Sequence, residues 1–376
     1  MKFLVFLRVQ DTNLFPSKRL YFIDIARSIA ILLMLQGHFV DATLADEFRN
    51  EHYLAYEIWS YVRQFTSAIF LTVTGIVFTY LLLNQSSGGY FQNQRIRKGL
   101  KRVVELFFWG YFLQPRAFHV LQCIAVGLLL IMVLYGISIF IRKIPLSIYF
   151  FIASSLLFAS NLYFGGLPSD VYWPNNAPEF IQNMFHGPTS VFPITPYLGF
   201  TLFGAFLGSM LVGIKDKIHS WKFIAPSLLI GILFVFLSKP FFIYLNGFEF
   251  FAPYKLYRMD WIFLKIGMVL LVLSLLIALE AYWLKNLQPN LFLKLGQNTL
   301  SIFILHMFIL YGPGIHYSIQ KYFDHKINAQ WIAPSALSFV VLFVLYVYLL
   351  DRYRPLVKRL LNPIKSRANW VFGIKD

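Results

Sequence analysis

The amino-acid sequence predicts an all-α, polytopic membrane protein whose helices cross a bilayer about ten times, with both termini in the cytoplasm. Of its 376 residues, 58% are hydrophobic and 13% are charged, and the mean hydropathy is +0.62. These values exclude a soluble protein, because too few polar residues remain to cover a water-facing surface. Apolar segments near the roughly 20 residues needed to cross a hydrocarbon core recur along the whole length. We therefore predict a single transmembrane domain over residues 1–376.

Ten apolar segments define the predicted spans in chain order. They are 22–40, 62–84, 103–114, 119–141, 146–164, 192–214, 223–243, 259–282, 299–312 and 333–350. The third and ninth are the shortest. If the third did not cross, every later loop would change sides.

The charges in the connecting loops predict the orientation. One alternate set of loops, which includes a tail at 1–20 and a basic tail at 351–376, carries 23 Lys and Arg residues, and the other set carries 8. Positive loops stay in the cytoplasm, so both termini are predicted there. The first residues have an apolar stretch interrupted by Arg8 and no small-residue cleavage site, which favours a cytoplasmic tail over a signal peptide. The expected location is a bacterial inner membrane.

The same features exclude two classes of function. The net charge of +16 comes from short loops between apolar spans, with no nucleic-acid-binding motif or basic stripe. Cys123 is the single cysteine and lies in an apolar span, so we expect neither disulfides nor a thiolate metal site. No metal cofactor is predicted.

The first span holds three ionisable residues, which are costly inside a membrane and are therefore functional candidates. Asp24 and Arg27 are one helical turn apart and can pair, either for function or as an anchor. Arg27 and His38 are eleven residues apart, which returns to within about 20° of the same helix face after a rise of roughly 16 Å. An isolated histidine is more often structural, but sharing a face with a membrane arginine favours a catalytic role.

A cluster of cations precedes the third span, which we call the basic cluster. It comprises Arg95, Arg97, Lys98, Lys101 and Arg102. The basic cluster has two interpretations. It is either a solvated loop attracted to anionic lipid or a binding site for the phosphates of a nucleotide-bearing donor.

Other polar residues are weaker candidates. Within the ninth span, His306 could be a buried hydrogen-bonding residue, and His119 and Gln122 enter the fourth span. Gly204 and Gly208, four residues apart, predict a helix-packing face. The aromatic loop 165–191 is interpreted equally well as a lid over a pocket and as a plain connector.

Five stretches resemble a known family. RLYFIDIARSIAILLMLQGH is similar to the opening of the transmembrane acyltransferase superfamily, whose first helix carries an Arg, ten intervening residues and a His, here Arg27 and His38. FTSAIFLTVTG, FHVLQCIAVG, PITPYLGFTLFGAFLG and NTLSIFILHM resemble bacterial members of its heparan-alpha-glucosaminide N-acetyltransferase branch, related to the acyltransferase-3 family. The resemblance covers residues 19–350.

This resemblance implies acetyl transfer from cytosolic acetyl-CoA to a glycan across the membrane. The basic cluster and Gln122 would bind CoA, its phosphates lying at the basic cluster, and Asp24 and Arg27 would be catalytic residues on the helix of His38. His38 would deprotonate the acceptor amine or hydroxyl. Eukaryotic members have Asn at the position of His38 and use a loop histidine, so His52 is a second catalytic candidate.

Two other functions remain open at this stage. A transporter or flippase would also have ten spans with intramembrane charges, although no internal repeat is evident. A non-catalytic membrane partner in glycan assembly would keep the fold without the activity. Small-residue faces such as that of Gly204 leave a homodimer possible.

Overall fold

The computed structural model describes residues 20–84, 89–168, 171–214, 217–284, 290–314, 317–353, 366 and 369–374. The predicted N-terminal tail up to residue 19 and most of the predicted basic tail at 351–376 lie outside the described residues. In the described part of the chain, fifteen α-helices form and no β-strand does. In chain order they are α1 (Tyr21–Thr43), α2 (Leu54–Arg63), α3 (Thr66–Asn84), α4 (Gln94–Leu113), α5 (Val120–Phe140), α6 (Leu146–Ala159), α7 (Asn161–Phe164), α8 (Glu179–Phe185), α9 (Ile194–Gly213), α10 (Trp221–Asn246), α11 (Asp260–Tyr282), α12 (Leu291–Gln297), α13 (Thr299–Tyr311), α14 (Ile319–Phe323) and α15 (Ala329–Arg352).

The helices confirm the all-α polytopic prediction. Within the described residues, eight helical segments are long and apolar enough to cross a membrane, and the pair α12 and α13, bent by 80°, would make nine. The third predicted span, 103–114, falls in the second half of α4, whose first half contains the basic cluster. Helix α4 is therefore not among those eight. The cytoplasmic position of the termini stays a prediction.

Contacts divide the chain into two compact units. The α1 unit contains Tyr21–Phe70 and the described residues from Leu284 to Tyr353. The α9 unit contains Leu71–Trp283 together with Leu20 and the described residues at 369–374.

In the α1 unit, α1 packs against α12, α13 and α15 around a buried apolar cluster. This cluster comprises Ile31, Leu35, Phe39, Val40, Ala42, Leu44, Leu295, Ile302, Leu310, Ala336, Phe339, Phe343 and Val347. Gly296 of α12 sits so close to α1 that an added Cβ would lie 2.5 Å from the carbonyl oxygen of Asp24. The hydroxyl of Ser28 ties the two helices, donating to the carbonyl of Phe292 at 2.6 Å and accepting from the Gly296 amide at 2.9 Å. Helix α12 is therefore fixed against the first turns of α1.

In the α9 unit, α3 and α9 approach each other at backbone distance. A Cβ added to Gly204 would lie 2.0 Å from the carbonyl oxygen of Thr72, and one added to Gly75 would lie 2.0 Å from that of Thr201. A Cβ at Gly208 would likewise meet the carbonyl of Ile76 at 2.7 Å. The predicted helix-packing face of Gly204 and Gly208 is confirmed, because only glycine permits this separation.

Candidate active site

His38 and His306 form a hydrogen-bonded pair inside the α1 unit. Nδ1 of His38 lies 3.0 Å from Nε2 of His306, and the ring centroids are 5.1 Å apart. His306 is fully buried, whereas His38 is partly exposed. One of the two nitrogens must donate and the other must accept, so the tautomer of His38 is coupled to that of His306. The structure thus joins a weak sequence candidate to the main one, across 268 positions of the chain.

The bend between α12 and α13 brings these residues together. Asn290 caps α12 by accepting from the Leu293 amide at 3.0 Å, and Asn298, which follows α12, donates its side-chain amide to the Lys294 carbonyl at 2.8 Å. The chain then turns by 80° into α13, with Thr299 as its first residue. Because α12 is fixed on α1, this turn determines which side of α13 meets α1.

Arg27 also contacts α13, at the other end of the same face. Its Nη2 donates to the hydroxyl of Thr299 at 3.3 Å. Arg27 and His38 therefore both face α13, which confirms the shared helix face expected from their spacing. The structure places Asp24 in the first turn of α1, where its backbone carbonyl oxygen lies 2.9 Å from the Ser28 hydroxyl oxygen.

His52 lies in the segment between α1 and α2. Its side chain is exposed, and its backbone amide donates to Oδ1 of Asn50 at 3.0 Å. The ring of His38 contacts that of His306 and that of Tyr311, the latter at a centroid distance of 6.1 Å. A role for His52 in the reaction stays a prediction.

Sequence analysis missed an ion pair near His38. Asp41, one helical turn beyond His38, pairs with Arg63 at the end of α2. The spacing of three residues between His38 and Asp41 could have indicated that the two side chains lie on the same side of α1. No local pattern indicated that Arg63, a cation at the start of the second predicted span, pairs with Asp41.

The residues of the basic cluster share a helix but differ in their contacts. In the α9 unit, Arg97 donates from Nε to the Phe91 carbonyl at 3.0 Å and from Nη1 to the Gly373 carbonyl. Lys101 donates to Oδ1 of Asn369 at 2.9 Å. Two of the five predicted cations therefore hold the short segment near the end of the chain.

The remaining three cations differ in exposure. Lys98 is exposed, and Arg102 lies 3.5 Å from Glu105. Burial lowers the pKa of the Arg102 guanidinium while Glu105 raises it, and burial lowers the pKa of Arg95. Arginine titrates so far above neutrality that both stay charged.

Gln122 has a structural explanation. His119 precedes α5, where its Nδ1 accepts from the Leu121 amide at 3.2 Å and its Nε2 lies 3.1 Å from the Gly110 carbonyl. Oε1 of Gln122 accepts from the His119 amide at 3.2 Å, and its Nε2 donates to the Ala117 carbonyl at 3.1 Å. These bonds form a capping box, so both polar atoms of the fully buried Gln122 side chain are already used.

The aromatic loop is fastened to the turn before α5. Asn183 and Thr189 donate to the carbonyl of Arg116 at 3.0 and 3.1 Å. Beside them is a cavity of about 90 Å³ lined by residues of both segments, including Arg116, Glu179 and Phe180. Hydrogen bonds thus hold this loop over a small cavity. These contacts are compatible with both interpretations of the loop, a lid and a plain connector.

The candidate site consists of hydrogen-bonding side chains. Among the described residues, no group of three or more His, Cys, Asp and Glu side chains could hold a metal ion. A partly exposed imidazole held by a buried one can accept a proton from a hydroxyl or an amine.

Comparison with known proteins identifies a family. The family model described as heparan-alpha-glucosaminide N-acetyltransferase, catalytic, matches residues 19–247, which is more than half of the chain. No curated protein matches the sequence. The matched region contains His38 and the basic cluster and ends before His306.

Proposed function

Because this chain belongs to the heparan-alpha-glucosaminide N-acetyltransferase catalytic family and is thus a membrane acetyltransferase, we propose that it moves an acetyl group from cytosolic acetyl-CoA to a cell-envelope glycan. The acceptor atom is an amino nitrogen or a hydroxyl oxygen. The observation that carries this proposal is the His38 and His306 pair, which supplies a general base on the helix that bears the family's Arg and His spacing. Acetyl-CoA serves as the donor co-substrate.

The hydrogen bond between the two rings supports a division of roles. Nδ1 of His38 lies 3.0 Å from Nε2 of His306, so one of these nitrogens donates and the other accepts. We propose that Nδ1 of His38 is the donor and Nε2 of His306 the acceptor. Nε2 of His38 then carries a lone pair. We assign His38 as the general base and His306 as the residue that positions it.

The reaction follows from this assignment. Nε2 of His38 takes the proton of the acceptor hydroxyl or amine while the acceptor oxygen or nitrogen attacks the thioester carbonyl carbon. The carbon–sulfur bond breaks, and the CoA thiolate receives the proton from His38. The products are the acetylated acceptor and CoA with a free thiol.

The donor would reach this site from the cytoplasmic side. We propose that CoA phosphates bind the exposed part of the basic cluster, with Lys98 and Arg102 as the main cations. Several cationic donors are the usual partners of phosphate. Arg97 and Lys101 already bind the segment at 369–373, so their contribution requires that this segment move.

Proteoliposomes test the proposed function. Purified protein is reconstituted, and radiolabelled acetyl-CoA and a mixture of glycans are placed on opposite sides of the bilayer. We expect acetylated glycan with the wild-type protein and a loss of at least about 100-fold, the lower end for general base catalysis, with His38→Ala. Arg116→Gln, a change in an exposed loop residue, is the matched control. Label transfer that survives His38→Ala combined with His52→Ala would refute the chemistry.

A further inference from the structure

Arg63 is fixed in place to an extent unusual for a partly exposed arginine. Its guanidinium pairs with Asp41 and lies over the ring of Trp59, with a distance of 5.3 Å from Cζ to the ring centroid. A Cβ on Gly37 would come within 3.0 Å of its Nε, so the glycine leaves room for the side chain. Surface ion pairs are normally mobile and contribute little. The three contacts together hold the guanidinium at one position.

The platform beneath Arg63 is itself anchored to α1. The indole N–H of Trp59 donates to Oε1 of Gln36 at 2.6 Å, and the amide of Gln36 donates to the Leu33 carbonyl at 3.1 Å. Residues Gln36, Gly37 and Asp41 all belong to the same two turns of α1 as His38. The position of the guanidinium is therefore tied to the position of the imidazole.

The ion pair remains accessible to a ligand. The side chain of Arg63 is 36% exposed and that of Asp41 is 30% exposed. A guanidinium has five N–H donors and a carboxylate about four acceptor sites, so bonds between the two do not use all of them. The pair offers donors and acceptors side by side, and its two charges cancel.

We propose that Asp41 and Arg63 bind the hydroxyl groups of the acceptor next to the atom that His38 deprotonates. Side chains three residues apart on a helix have Cβ atoms about 5–6 Å apart, so a ring with one group at His38 brings its neighbouring hydroxyls to the pair. The ligand class is a neutral sugar or polyol ring.

The cancelled charges determine the specificity. A lone arginine would attract a carboxylate or phosphate, whereas Arg63 is already neutralised by Asp41. An acidic sugar would place its carboxylate against that of Asp41, and like charges at contact are unfavourable. Neutral rings are therefore preferred over uronic acids.

Binding and kinetics together test this inference, which rests on the proposed function. Calorimetry on protein in nanodiscs measures the affinity for methyl glycosides of glucose, glucosamine and glucuronic acid. We expect measurable binding of a neutral or amino glycoside, weaker binding of the uronate, and at least tenfold weaker binding after Arg63→Gln or Asp41→Asn. The double variant, Arg63→Gln with Asp41→Asn, leaves no unpaired charge and controls for misfolding. Arg116→Gln is the control for loss of an exposed arginine.

The kinetic arm separates acceptor recognition from catalysis. In the transfer assay, the acceptor KM should rise at least tenfold in the double variant, while the KM for acetyl-CoA stays within about twofold of wild type. Four results would each overturn the inference. They are a fall in kcat at unchanged acceptor KM, unchanged glycoside affinity, tighter binding of the uronate, and no glycoside binding at all. Absence of acetyl transfer by a wild-type protein that still binds glycosides through Arg63 would instead refute the proposed function.

Discussion

Replacing His306 by leucine tests the proposed division of work between the two histidines. The substitution removes the acceptor for Nδ1 of His38 at a position that is fully buried, where water does not replace it. A buried donor left without a partner costs about 1–3 kcal/mol. Since 1.36 kcal/mol corresponds to a factor of ten, we expect kcat/KM for acetyl transfer to fall by about 5- to 150-fold. The fall should lie in kcat, because His306 contacts neither substrate in the proposed mechanism.

His306→Gln is the matched variant. The amide oxygen of glutamine can occupy the place of Nε2 and accept the same hydrogen bond. We expect kcat within about fivefold of wild type for this variant, since the bond of about 1 kcal/mol is restored. Both variants are measured in proteoliposomes with radiolabelled acetyl-CoA, and their melting temperatures are compared in detergent.

Two results would refute the reasoning about His306. One is a leucine variant that retains at least half of the wild-type kcat, which would mean that the hydrogen bond does not position His38. The other is equal loss in the leucine and glutamine variants at equal melting temperature, which would assign His306 a role other than accepting from His38.

Three further predictions follow from the structure. Charge removal by Lys98→Gln with Arg102→Gln should weaken CoA binding at least tenfold, as measured by calorimetry. The control Arg116→Gln should leave the affinity for CoA unchanged. Equal affinities in all variants would mean that the basic cluster serves only membrane orientation. Gly204→Val should destabilise the protein by more than about 3 kcal/mol or prevent its folding, because its Cβ would overlap the Thr72 carbonyl at 2.0 Å. The control Gly89→Ala, at a position with open space, should keep the wild-type melting temperature. His119→Ala should lower stability by roughly 1 kcal/mol through the lost cap of α5, and His119→Asn, which can still accept from the Leu121 amide, should retain most of it; identical melting temperatures for the two variants would contradict this account.

The periodic and compositional features of the fold were predictable from the sequence. Span length depends on bilayer thickness, so apolar runs placed α1, α5, α9, α11 and α15 within a few residues of their observed bounds. The close approach of α3 and α9 followed from Gly204 and Gly208, since small residues at this spacing let two backbones meet. These are local signals that a single segment carries by itself.

Whether α4 crosses the membrane was less predictable, because charged and apolar segments share this one helix. Its first half carries the five cations and its second half the apolar run that predicted the third span. The mean hydropathy of the whole helix therefore falls below that of the eight segments that could cross a membrane. The basic cluster also gave no sign that Arg97 and Lys101 contact residues about 270 positions later.

The site required information that no local pattern contains. The face shared by Arg27 and His38 was predictable from a rise and an angle along one helix. Their partners Thr299 and His306 lie on a helix whose direction depends on the 80° turn after α12, and that turn depends on the packing of Gly296 against α1. Substituting Gly296 would thus displace the partner of His38 without touching either histidine.

His306 and the Asp41 and Arg63 pair are assigned two separate tasks in the proposed reaction. In that reaction His306, which is buried and hydrogen-bonded to Nδ1 of His38, controls where the proton resides and hence the rate of proton transfer. The Asp41 and Arg63 pair is partly exposed and has cancelled charges, so it is suited to select the acceptor. Changes at His306 should therefore alter kcat with little effect on acceptor preference, and changes at Arg63 should alter acceptor preference with little effect on the proton position. A variant at either residue that changed both properties equally would show that His306 and the ion pair act as one unit.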